Sequence, residues 1–172
     1  PKNYFLQKIR DLTKKKGIIL IFDECTSGFR QCFGGLHKYY NVDPDMAIFG
    51  KSLGNGYAIN AIIGKDKYMQ YGDQTFISST FWTERIGPTA ALKTLEEMEK
   101  IKSWKIITNK GNYVRKKWLS MAKKYNLKIN IFGLPALSGF EIVSKNFYKY
   151  KTLISQEMIK NSILASNMIY FS

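Results

Sequence analysis

Histidine occurs once, at His37, and cysteine twice, at Cys25 and Cys32, in 172 residues. One C-x6-C pair and one imidazole are too few ligands for a structural zinc site and make no disulfide framework, so the sequence predicts no metal and reduced thiols. Arginine is scarce as well: Arg10, Arg30, Arg85 and Arg115 are the only ones, against a net charge of +14. The lysines that supply this charge read as scattered through helical patterns, which predicts a solvated surface and no nucleic-acid partner. No stretch approaches the roughly 18 apolar residues needed to span a bilayer, and the first ten residues, PKNYFLQKIR, lack a signal-peptide apolar region. The expectation is a cytoplasmic protein with no membrane partner. Neither internal repeats nor a low-complexity linker occurs.

What is present is a substantial apolar inventory, 45% hydrophobic and 15% aromatic, enough to bury a core. The stretch from Gly17 to Lys65 organises the rest. Its apolar run Ile18–Phe22 reads as a buried parallel strand and ends on two carboxylates, Asp23 and Glu24. A second apolar run, Met46–Phe49, ends on Gly50, Lys51 and Ser52. Two strand ends thus present opposite charges, and Asp23 and Lys51 read as two poles of one active site. Taken alone, an apolar run ending in Asp-Glu also reads as a strand before a helix cap or a solvated turn. A phosphate-loop reading of Gly50-Lys51-Ser52 fails on spacing, because G-x-x-x-x-G-K-S/T requires glycine where Asp45 stands.

IFDECTSGFR, followed by PDMAIFGKSLGNGYAINAIIG and then SSTFWTERIGPTAAL, resembles the class III pyridoxal-phosphate-dependent aminotransferases, and among them most closely glutamate-1-semialdehyde 2,1-aminomutase and its relatives. The resemblance covers nearly the whole chain. It implies pyridoxal 5'-phosphate as cofactor, with Asp23 as the partner of the pyridine nitrogen and Lys51 as the Schiff-base lysine. The chemistry asks for the same two groups independently. A buried carboxylate keeps the ring nitrogen protonated while a carbanion forms, and a desolvated lysine supplies a partly neutral amine and later moves the α-proton. The resemblance also assigns Cys25 and Thr26 to the cofactor. The family usually carries a branched aliphatic at the first of these positions and, in many members, Gln or Met at the second. Ser79 and Thr80 match the hydroxyl segment that reaches the phosphate of the partner subunit's cofactor, which implies a homodimer. By residue type alone, Ser79 and Thr80 also read as a turn capping a helix.

In chain order, Phe5, Leu6, Ile9 and Leu12 predict an amphipathic helix over residues 3–16 that Gly17 ends in a left-handed conformation. Residues 58–63 predict a short strand, and Asp66 a cap for a helical turn through Met69. A helix follows over about 85–100, with Pro88 in its first turn, and then a second amphipathic helix whose stripe includes Trp104, Ile107, Gly111, Val114, Trp118 and Met121. Period-two alternation at 127–132 and the run at 137–143 predict two strands, residues 152–161 a helix, and Met168–Phe171 a last apolar run. His37 is expected at the surface, and Arg30 in a structural ion pair rather than on a substrate carboxylate.

The fold class expected is α/β: part of a fold-type-I transferase, with residues 1–100 in the large cofactor domain and residues 101–172 in the C-terminal small domain. The family's phosphate-binding glycine turn has no counterpart here, so the chain is expected to be a fragment. The function implied is amino-group transfer, or intramolecular amino exchange, on a small amino acid, keto acid or semialdehyde. Two rivals stand beside it: a non-catalytic remnant, and a basic nucleic-acid-binding module supported only by net charge.

Overall fold

A computed structural model describes residues 3–81 and 83–171. The described residues pack as two compact units, one through Trp104 and the other from Lys105 on.

In the first unit, α1 (Phe5–Lys16) ends on Gly17, whose φ of 66° lets its N–H reach back to the Lys14 carbonyl, so the expected glycine terminator is in place. The chain enters β1 (Ile21–Asp23), makes the short helix α2 (Leu36–Tyr39), and returns as β2 (Met46–Phe49). After a 3-10 turn over Lys51–Leu53 it forms β3 (Ala61–Gly64), the single turn α3 (Asp66–Met69) and the long helix α4 (Ile86–Ile101). The sheet order is β1-β2-β3; β1 and β2 run parallel with Asp23 opposite Ile48, and β3 is antiparallel to β2 with Ala61 opposite Phe49. Ala47, Phe49, Leu53 and Ala91 form the buried core, with Phe29, Ile59, Ala61 and Leu95 packed on it. Lys51 is therefore flanked by two core anchors, Phe49 before it and Leu53 after it.

Three local expectations are corrected. The strand expected over Ile18–Phe22 is shorter and only partly buried: Leu20 is buried and Phe22 half-buried, but Ile18, Ile19 and Ile21 are exposed, since burial needs elements packed on the faces, and β1 pairs with β2 alone among the described residues. Asp66 is the first residue of α3 and not its cap; the cap position falls on Lys65, and no side chain caps the turn. His37 is buried instead of exposed, since α2 folds its ring towards Phe22, with the centroids 6.2 Å apart, and onto Glu24.

The second unit is built on α5, which starts at Ser103 and runs to Lys124. Behind it β4 (Ile129–Phe132), β5 (Leu137–Ile142) and β6 (Met168–Tyr170) form an antiparallel sheet in that order, with α6 (Phe147–Lys160) between β5 and β6. Helix α6 begins five residues before the expected start, in the aromatic and basic stretch FYKY. Gly111 is indispensable to the packing of α5, because a Cβ there would overlap the Pro135 carbonyl. The Trp118 ring lies 4.9 Å from that of Phe140, and Arg115 donates to Ser138 Oγ (2.6 Å) and the Gly133 carbonyl (2.7 Å), fixing the helix to the β4–β5 connection.

Candidate active site

The parallel pairing of β1 and β2 carries the site. Asp23 is the last residue of β1, and Lys51 lies three residues beyond Ile48, its partner on β2. The turn after Asp23 is tightly built. The Cys25 amide donates to Asp23 Oδ1 (2.9 Å), the Glu24 amide to the Ile48 carbonyl (2.8 Å), and the Gly28 amide to the Glu24 carbonyl (2.8 Å). A Cβ on Gly28 would crowd both that carbonyl and the Phe49 ring, so glycine lets the turn close onto the core. Arg30, also buried, donates from Nε to the Thr26 carbonyl (2.9 Å), so its visible role is to hold this turn.

Inside the turn lies a buried knot that sequence reasoning missed. Glu24 receives the Ser27 hydroxyl on Oε2, and on Oε1 it meets the His37 amide (3.0 Å) and His37 Nδ1 (3.1 Å). A carboxylate sequestered this way must have its oxygens satisfied, and three donors from Ser27 and His37 do so. The signal available in the sequence was the lone histidine placed thirteen residues after a strand-end glutamate.

The Asp23 carboxyl is held below its ordinary pKa, first by the Cys25 amide and then by the Cys25 thiol, with a further contribution from the Lys51 charge. Among the described residues it is exposed, and not buried as expected. Lys51 is exposed too, so the expected desolvation of its amine is not found within these residues. Its Nζ contacts Thr26 Oγ1, and its backbone is left-handed, with φ at 43°. A lysine in that region carries strain on the order of 1 kcal/mol, a cost that clusters where a side chain must be aimed. Burial and the neighbouring Asp23 push the Cys25 thiol up.

The structure thus brings Asp23, Cys25, Thr26 and Lys51 into one cluster. It does not bring Ser79 or Thr80 to it. Ser79 accepts the Phe81 amide (3.2 Å) and lines a cavity of about 550 Å³ together with Asn60, Ser78 and the first turn of α4; Thr80 is exposed. Asn60 was also missed: its Oδ1 occupies the place a Cβ on Gly50 would take, so glycine before Lys51 is what admits this amide beside the cluster.

Asp45 was missed as well. Burial would raise its pKa, but the Leu20 amide, Lys65 and Arg10 outweigh burial and hold the carboxyl at about 2. Its Oδ2 lies 3.0 Å from Arg10 Nη1 and 2.9 Å from the Leu20 amide, and its Oδ1 3.1 Å from Lys65 Nζ. One side chain therefore ties α1, the entry to β1 and the end of β3 to the start of β2. Among the described residues, no group of three or more His, Cys, Asp and Glu side chains is placed to hold a metal ion.

The family model described as Aminotransferase class-III matches residues 1–165. A 3-aminobutyryl-CoA aminotransferase of Cloacimonas acidaminovorans (strain Evry) is 38% identical over 167 residues, covering 95% of this chain and 40% of the relative. A glutamate-1-semialdehyde 2,1-aminomutase of Methanococcus maripaludis (strain C7) is 34% identical over 174 residues, covering 99% and 39%. The chain thus spans about two fifths of the length of the curated relatives it matches. Among solved structures, the FumI protein of Sphingopyxis sp. MTA144, in its PLP internal aldimine form, aligns with a TM-score of 0.87 at 20% identity, over 96% of this chain and 41% of that one. That likeness shows the fold, and the α/β arrangement is the expected part of a fold-type-I transferase.

Proposed function

Because the chain belongs to the class-III aminotransferase family, we propose that the protein carrying it moves amino groups with pyridoxal 5'-phosphate, between small amino acids, keto acids or semialdehydes. The observation that carries this reading is the placement of an ionised carboxylate, Asp23, and an exposed primary amine, Lys51, at the C-terminal ends of two adjacent parallel strands. That donor set fits the cofactor at both ends of its ring: the amine suits an aldehyde carbon and the carboxylate a protonated ring nitrogen. When bound, the cofactor supplies an electron sink for the carbon that loses or gains the amino group.

The chain's own residues do the rest. Asp23, kept ionised by the Cys25 amide and thiol, would hold a proton on the ring nitrogen of the bound cofactor. Lys51, aimed by its left-handed backbone and steadied by Thr26, would hold the cofactor through its amine and would carry the substrate's α-proton. Cys25 packs as a small apolar group beside Gly50. Ser79 and Thr80 serve the phosphate of a second subunit's cofactor, so the working protein is a homodimer. Residues 1–100 belong to the cofactor domain and residues 101–172 to the small domain, and the enzyme works in the cytoplasm. The same groups serve transamination and intramolecular amino exchange.

The test is chemical. Borohydride reduction of the cofactor-loaded protein followed by peptide mapping is expected to find a pyridoxyl group on Lys51. A pyridoxyl group on another lysine, or on none, rejects the assignment.

A further inference from the structure

The positive charge is not evenly shared. Through Trp104 the chain has fifteen basic and eleven acidic residues, and from Lys105 on it has twelve basic residues against Glu141 and Glu157 alone. A lysine-rich composition acting uniformly would not produce that division. In α4 the expected pattern of a solvated face is present: Lys93 pairs with Glu96 (3.1 Å) and Glu97 (3.3 Å). Helix α5 has no acidic residue in its 22 positions. The two acids of its unit are engaged elsewhere, Glu141 with the Asn130 amide (3.0 Å) and Glu157 with Lys160 (2.6 Å).

Wound at about 100° per residue, the exposed lysines of α5 fall into two rows. Lys105, Lys116 and Lys123 lie within about 20° of one meridian; Lys110, Lys117 and Lys124 lie within about 40° of each other, about a quarter to a third of a turn away. Neighbours seven residues apart in a row are about 10 Å apart along the axis. Arg115 is not part of either row, since it is turned inward to Ser138 and Gly133. The strip between the rows carries Asn109, Tyr113 and Ser120, and Tyr113 is 61% exposed with Lys117 Nζ 5.3 Å from its ring centre. The scatter read from the sequence is therefore corrected: the helix gathers six lysines on one face. Among the described residues none of the six is ion-paired, so their mutual repulsion is unrelieved.

We propose that this face of α5 binds the phosphate backbone of a nucleic acid, without base specificity. Two lysine rows match a polyanion with regularly spaced charges, and Tyr113, Asn109 and Ser120 between them offer a ring for stacking and donors for sugar and phosphate oxygens. An anionic bilayer fits less well, because the strip between the rows lacks the continuous apolar ridge that enters the lipid boundary.

The test measures fluorescence anisotropy of a labelled 20-nucleotide strand, as DNA and as RNA, with the protein at 50 and 200 mM salt. Six phosphate contacts predict a log–log slope of about −4 for a single strand, a roughly 300-fold loss of affinity over that interval. Replacing one row (Lys110→Gln, Lys117→Gln, Lys124→Gln) is expected to reduce the slope to about −2, a roughly 20-fold loss. The matched control, Lys14→Gln with Lys15→Gln and Lys16→Gln at the end of α1, removes the same charge and is expected to leave the slope unchanged. Circular dichroism checks the fold of each variant, and arginine at the same α5 positions is expected to retain binding. Equal losses in the α5 and α1 variants, no salt-dependent binding at 50 mM, or tighter binding to phosphatidylserine vesicles than to either strand overturns the proposal.

Discussion

Replacing Asp45 with asparagine removes the charge at the junction of α1, β1, β2 and β3 while keeping its size and its ability to accept the Leu20 amide. Arg10, held 3.0 Å from Oδ2 with its guanidinium mostly buried, then loses its counter-ion and keeps only the Asp43 carbonyl at 3.3 Å. Lowering the carboxyl from the ordinary 3.8 to about 2 is worth about 2.4 kcal/mol at about 1.36 kcal/mol per unit. Solvent screening at Lys65, whose side chain is 44% exposed, reduces this to about 1.5–2 kcal/mol. The sign follows from linkage. A carboxyl whose folded pKa is depressed adds stability that is complete above its unfolded value near 4, and that is lost as pH falls from there through about 2. Urea unfolding of the protein and of Asp45→Asn at pH 7 is expected to show the variant weaker by about 1.5–2 kcal/mol. Between pH 5 and pH 2 the difference is expected to shrink, because only the parent protonates a paired carboxylate. A difference that stays constant between pH 7 and pH 2.5, or one under about 0.5 kcal/mol at pH 7, refutes the junction's electrostatic role.

Asp23→Asn is expected to leave the circular dichroism spectrum and much of the cofactor binding intact while lowering turnover by about 100-fold or more, about 2.7 kcal/mol at the barrier; turnover within about threefold of the parent excludes Asp23 as the ring-nitrogen partner. Mixing a Thr80→Ala protein with a Lys51→Ala protein, under conditions that verify subunit exchange, is expected to raise activity above either variant alone, because one mixed site then combines Lys51 with the other subunit's Thr80. Absence of recovery places Thr80 in its own chain's site or outside it.

The placement of Asp23 and Lys51 at two neighbouring strand ends was legible because each stands where an apolar run stops. Asp23 and Lys51 follow runs whose composition makes them strands, and a strand fixes the direction of its end. What escaped were residues whose partners are distant in sequence. Asp45 reaches Leu20, 25 residues away, and Lys65, 20 residues away, and no periodicity links such positions. His37 was misjudged because its neighbours Lys38, Tyr39 and Tyr40 are polar or amphipathic. Its burial comes from a carboxylate 13 residues earlier, whose demand for donors decides the matter. Burial of β1 was overestimated for a different reason. An apolar run specifies that a strand must be covered, and covering depends on elements packed against it, which the run itself does not contain.

The two poles are held in different ways, and this bears on how the site tolerates change. Lys51 sits between Phe49 and Leu53, both in the core, so its backbone cannot relax out of the left-handed region without moving a buried side chain. Asp23 has no such anchor. It is exposed at a sheet edge, and its position depends on the turn after it, where Glu24 is tied to β2 by its amide and to Ser27 and His37 by its carboxylate. The exposed carboxylate and the buried one are thus consecutive, at the point where β1 passes into its turn. A change at Glu24 would therefore act on Asp23 through the backbone, without touching any reacting atom. At the end of β1 the two adjacent carboxylates thus divide between an exposed group, the one proposed to meet the cofactor, and a buried group that holds the turn in place.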